Sequence, residues 1–181
     1  GEISDHWRVG QSTVTNKVTQ RLLNVVTRVP STTGGRLRRL LQVRAMRFVQ
    51  HKLGNYFNNN LVLFFSGARN WDMAHALSEY TPNLSFADAL MQTGAPTMLT
   101  SLQQLELYAK GHDLALAGKP GEILEGMLAG FKSKRLAAAM AKAHVIVGTF
   151  AELKAVGSPA NLAGKTVITS AVDDERLEFF K

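Results

Sequence analysis

Ser66-Gly67-Ala68-Arg69-Asn70 is the stretch whose residue types are best suited to holding an anion. Gly67 lets backbone approach a ligand closely, Ser66 offers a hydroxyl, Arg69 brings a guanidinium, and Asn70 adds a carboxamide. Asp88 follows Gly67 by about 20 residues, the separation at which a dinucleotide-binding fold keeps the acid that binds a ribose hydroxyl. A cofactor site of Ser66, Gly67, Arg69, Asn70 and Asp88 is therefore expected. A serine-glycine turn is also an ordinary connection between a strand and a helix, and Asp88 is equally suited to capping a helix. Gly148-Thr149 and Thr169-Ser170 close two later apolar stretches. Hydroxyls there either face a ligand or cap the next helix, and Thr169 and Ser170 are assigned to the substrate side.

Other chemistries have less support. The chain has no cysteine, which removes disulfides, thiolate nucleophiles and thiolate metal sites. Its five histidines, His6, His51, His75, His112 and His144, lie too far apart for a local zinc pairing, so no metal is expected. No Ser/His/Asp grouping and no carboxylate pair has a spacing that implies acid-base work, so catalytic residues stay unassigned.

The elements that would position the cofactor residues can be read from periodicity. Leu61–Phe65 is a short continuous apolar run, as expected of a strand buried on both faces of a parallel sheet. The Ser66–Asn70 turn then leads into a helix from Trp71 to Tyr80, with Asp72 in its first turn. A weak strand follows near Asn83–Ala87. Further helices are expected at about Thr100–Ala109, Gly121–Lys142 and Asp173–Phe180, and strands at His144–Val147 and Thr166–Thr169. Strands alternating with helices predict an α/β, Rossmann-like, mostly parallel sheet with helices on its flanks. A doubly wound sheet would carry another strand after the last helix, so a truncated C-terminus or a partner-supplied strand is expected.

Charge divides the chain in two. Residues 1–52 hold ten Lys/Arg against two acids, a net of +8, whereas residues 53–181 hold eleven against twelve. We read 1–52 as a basic N-terminal arm and 53–181 as the α/β domain. Residues 1–16 show no period and read as an extended arm, and Val18–Val29 has helical spacing. Arg36–Lys52 reads as a helix with an apolar stripe of Leu37, Leu41, Ala45, Phe48 and Val49; either this stripe packs on the sheet while the arginines stay in water, or the helix lies against a polyanion. Those arginines suit an acidic partner: RNA, an acidic protein or an anionic membrane surface. Residues 8–52 also match an organelle transit segment in composition. No apolar run approaches the roughly 20 residues of a membrane span. A soluble, cytoplasmic or organelle-matrix protein is expected.

Ser66-Gly67, Met73-Ala74, Ala76-Leu77, Phe86, Asp88, Gly94, Pro96, Leu99 and Ser101-Leu102 form a pattern. It continues through Val145-Ile146, Gly148, Phe150 and Lys165–Thr169. Over about residues 61–179 it resembles bacterial proteins labelled quinate 5-dehydrogenase. The resemblance implies a Rossmann-like fold, a nicotinamide cofactor (NAD or NADP) and an oxidoreductase acting on a hydroxylated carbocyclic acid. The chain departs from that picture in lacking a three-glycine fingerprint and a recognisable lysine-aspartate pair. The competing expectation is a non-catalytic Rossmann-like subunit whose basic arm docks on RNA or an acidic protein.

Overall fold

A computed structural model describes residues 6–15, 21, 24, 25, 34–93, 95–111, 131–156, 159–169 and 173–180. An antiparallel hairpin comes first, β1 (His6–Val9) with β2 (Ser12–Thr15). Then follow α1 (Gly35–Lys52), β3 (Val62–Phe64), α2 (Trp71–Ser78), β4 (Leu84–Phe86), α3 (Asp88–Gln92) and α4 (Leu102–Gly111). The described chain closes with α5 (Phe131–Lys142), β5 (Val145–Val147), α6 (Phe150–Val156), α7 (Pro159–Leu162), β6 (Thr166–Ile168) and α8 (Asp174–Phe179).

β3 to β6 form one parallel sheet in the order β4-β3-β5-β6. The chain builds outward from β3 to β4, then returns to β3's other side to add β5 and β6. The topological switch point therefore lies between β3 and β5, and the loops after these two strands meet there. Both faces of the sheet are covered. Val62 and Phe64 point into a core with Val9, Met46, Trp71, Ala74, Leu77 and Leu105. Leu63 and Phe65 point the other way, into a core with Leu136, Met140, Ile146 and Leu153. Side chains alternate across a strand, so a strand covered twice has to be apolar at every position.

Residues 6–15, expected as part of an extended, loosely held arm, form a hairpin that is part of the fold. Gly10 takes a positive φ of 59° at the turn, a conformation open to glycine at little cost. Val9 is fully buried in the core, and the Gln11 amide donates to Glu106 at 3.1 Å. α5 is seen from Phe131; its expected earlier portion, and most of the Val18–Val29 helix, fall outside the described residues.

α1 corrects the expected orientation of the basic helix. The buried positions are Met46 and Gln50, whereas Leu37, Leu41, Ala45 and Phe48 of the expected core stripe are exposed and only Val49 is partly buried. Polar pairing sets this choice of face. The Gln50 carboxamide accepts from Phe57 N at 2.8 Å and donates to Asn58 at 2.7 Å, anchoring the helix to the loop leading into β3. Arg39 and Arg47 reach Asp72 and Glu79 beside α2, at 3.8 and 3.6 Å. Among the described residues no helix is long and apolar enough to cross a membrane.

The two faces of α1 should respond differently to truncation. Met46→Ala should lower the unfolding free energy by about 2–5 kcal/mol. Leu41→Ala should change it by no more than about 0.5 kcal/mol. Urea unfolding of both variants checks this, and a larger loss at Leu41 would place the wrong face inward.

Candidate functional site

The expected cofactor residues gather at the carboxyl end of β3, where parallel strands present their loops to a ligand. The turn after Phe64 leads into α2, with Asn70 as the residue preceding the helix. The Asn70 side chain donates to Ser66 O at 2.9 Å, and its own amide donates to Gly67 O at 3.0 Å. Ser66, Gly67 and Ala68 are buried, while Arg69 and Asn70 are half-buried.

Asp88 is the first residue of α3 and has no exposed surface. Its carboxylate points back at the β3 turn, where it accepts from Gly67 N at 2.8 Å and from Ala68 N at 3.0 Å. These are the amides expected to meet a diphosphate. The residues singled out by their separation thus meet, and they bond to each other. A side chain at Gly67 would run into the Phe86 ring and stand 3.1 Å from both Asp88 and Leu105. The glycine is thus required by close packing under α4.

A second carboxylate, Glu152, closes the other side of the switch point. Thr149 and Glu152 form a reciprocal cap on α6: Thr149 N donates to Glu152 Oε2 at 2.7 Å, and Glu152 N donates to Thr149 Oγ1 at 3.2 Å. The other carboxylate oxygen of Glu152 accepts the Ser66 hydroxyl, joining the loops after β3 and β5. Gly148 leaves room for this, because a Cβ there would stand 2.7 Å from the Phe65 ring. Glu152 was not among the expected site residues. The Thr149-x-x-Glu152 spacing just after an apolar strand is the signal that finds it.

On the substrate side, Thr169 follows β6 and its Oγ1 is buried with no hydrogen-bond partner among the described residues. Ser170 lies outside them. Tyr108 on α4 donates to Gln92 at 3.2 Å, and burial, then the nearby Asp88 charge, pushes its phenol up to about 12. No group of three or more His/Asp/Glu residues that could hold a metal ion occurs among the described residues.

Asp88 is pushed up from 3.8 to about 7. Burial is the main cause and the Glu152 charge adds to it, while the Ala68 and Gly67 amides pull in the opposite direction. What the cluster can do chemically follows from this. Two carboxylates already occupy the donors at the switch point, and one of them changes charge near neutral pH.

The sequence pattern described as Domain of unknown function (DUF8754) matches residues 36–181, so the chain belongs to that family. The match takes in α1 together with the sheet. No curated protein and no solved structure matches the chain.

The Asp88 shift fixes a sign for the pH dependence. Between 3.8 and about 7 the folded chain keeps a proton that the unfolded chain has released, so stability falls as pH rises through that window and levels off above it. The loss is on the order of a few kcal/mol. Urea unfolding from pH 4 to pH 8 should show this slope in the unaltered chain and a flatter profile in Asp88→Asn. Equal slopes would remove Asp88 as its source.

Proposed function

We propose that this member of the DUF8754 family is a non-catalytic Rossmann-like scaffold that docks on an anionic partner through its basic helix α1. One observation carries the reading: the Asp88 carboxylate sits on the Gly67 and Ala68 amides. In open α/β sheets such amides are the donors that receive a ligand's phosphate or carboxylate. Here a ligand would have to displace a buried side chain and then share the crevice with Glu152. Like charges in a buried, weakly screened place oppose a diphosphate strongly.

The docking half of the proposal rests on charge. α1 carries Arg36, Arg38, Arg39, Arg44, Arg47 and Lys52 with no acid in its sequence. Arg39 and Arg47 are engaged by Asp72 and Glu79. Arg36, Arg38, Arg44 and Lys52 are exposed, with no carboxylate within ion-pair distance among the described residues. They form a cationic surface on a rigid element, suited to steering and holding an anionic partner, whether RNA, an acidic protein or another anionic surface.

A second reading keeps the cofactor. It is favoured by the position of the cluster at the switch point and by the buried Thr169 hydroxyl, which has no hydrogen-bond partner among the described residues. In it Ser66, Gly67, Arg69 and Asn70 bind the diphosphate of NAD or NADP and Asp88 turns outward to a ribose. Thr169 and Ser170 then face a hydroxylated carbocyclic acid, as the resemblance to proteins labelled quinate 5-dehydrogenase implies. This requires Asp88 to leave both amides.

Two measurements separate the readings. The scaffold reading expects no shift in Tm with NAD or NADP at millimolar concentration. Stabilisation by either, of about 2.7 kcal/mol at a hundredfold excess over Kd, would favour the second reading. The scaffold reading also expects salt-sensitive retention on a sulfated-polysaccharide column. The Arg36→Gln, Arg38→Gln, Arg44→Gln variant should elute at clearly lower salt. Retention that ignored salt, or was unchanged in this variant, would overturn the docking claim. Side-chain substitution is the right tool here, because deleting residues 1–52 would also remove the buried Met46 and Gln50.

A further inference from the structure

α1 presents its apolar residues outward, and we infer that its exposed face seats on an anionic lipid surface. The inference rests on the docking reading above and names its partner. At 100° per residue, Leu37, Leu41, Arg44 and Phe48 form one stripe opposite the buried Met46 and Gln50. Leu37 is 61 % exposed, Leu41 56 % and Phe48 66 %. Leu40, 50 % exposed, stands beside them. Arg36 and Arg38 flank the stripe on opposite sides, Arg44 lies within it, and Lys52 sits near its end.

Three occupants can be compared on charge and polarity. A second copy of the same face would bring arginine against arginine with no acid in either helix, which opposes self-pairing. A nucleic acid would use the cations but would leave Leu37, Leu41 and Phe48 facing phosphates and water. An anionic bilayer uses both sets of groups. The leucines and Phe48 enter the boundary between headgroups and acyl chains, while the long arginine and lysine side chains reach lipid phosphates at the flanks. The complementarity is thus of two kinds at once: apolar from Leu37, Leu41 and Phe48, and cationic from Arg36 and Arg38 at the flanks and from Arg44 within the stripe, whose long side chain extends toward the phosphates. Met46 is buried in the core and Gln50 bonds Phe57 and Asn58, so the helix presents this face with its inner side already bound.

The test is co-sedimentation of the full chain with phosphatidylcholine vesicles, with and without phosphatidylglycerol. Binding is expected only with the anionic lipid and should weaken as salt is raised. Leu41→Ser with Phe48→Ser should reduce the apparent affinity by about tenfold or more. Arg36→Gln with Arg44→Gln should reduce it as well. Each variant's thermal melt shows that it stays folded, since all four positions are exposed. No binding to anionic vesicles, or full binding by the leucine-phenylalanine variant, overturns the inference. If the chain ignores vesicles yet is retained by the polyanion column, the lipid assignment fails while the docking reading stands. If it binds neither, both fail.

Discussion

The Asp88 carboxylate takes up two backbone N–H groups that an open α/β sheet ordinarily leaves for a ligand. Much of the switch-point edge is arranged around that contact. Gly67 has to be small because Phe86 and Leu105 press on it, and they press on it because the turn is drawn down onto the start of α3. The β3 turn, the first residue of α3 and the inner face of α4 thus form one unit. Removing the carboxylate would leave two buried donors without acceptors, at about 1–3 kcal/mol each.

Glu152 extends the same logic across the sheet. Its two oxygens face different elements, one the Thr149 cap of α6 and the other the Ser66 hydroxyl after β3. The loops on either side of the switch point are therefore tied through one side chain. Charge accumulates as a result: two acids lie buried within electrostatic reach, and Asp88 is displaced toward neutrality. The edge that could have received a phosphate carries two buried acids, and its Gly67 and Ala68 amides are already bonded. α1, by contrast, carries six Lys/Arg and no acid. The proposed docking rests on that division, a sheet edge holding its own carboxylates and an exposed cationic helix.

Parts of this could be read in the residues beforehand. The unbroken apolar run at Leu61–Phe65 announced a doubly covered strand, and alternation with helices announced the parallel sheet. The pairing of Gly67 with Asp88 could be inferred from their separation. Whether Asp88 faced outward to a sugar or inward to the turn could not, because spacing locates a residue at a strand end without saying where its side chain points. Glu152 was legible in principle, through the capping pattern it makes with Thr149. The inner face of α1 was harder. A leucine-rich stripe competes there with one containing Met46 and Gln50, and only contacts distant in sequence, Gln50 to Phe57 and the arginines to Asp72 and Glu79, choose the polar one. The hairpin at Gly10 was hidden by its polar composition, although Val9 of β1 is buried in the core.

The central claim is that the switch-point amides are held by the protein's own carboxylate. Amide hydrogen exchange at Gly67 and Ala68, followed at neutral pH with and without NAD or NADP, tests it most directly. Strong protection in the unliganded chain, unchanged by either nucleotide, is the predicted result. Rapid exchange at both amides that slows when a nucleotide is added would contradict it.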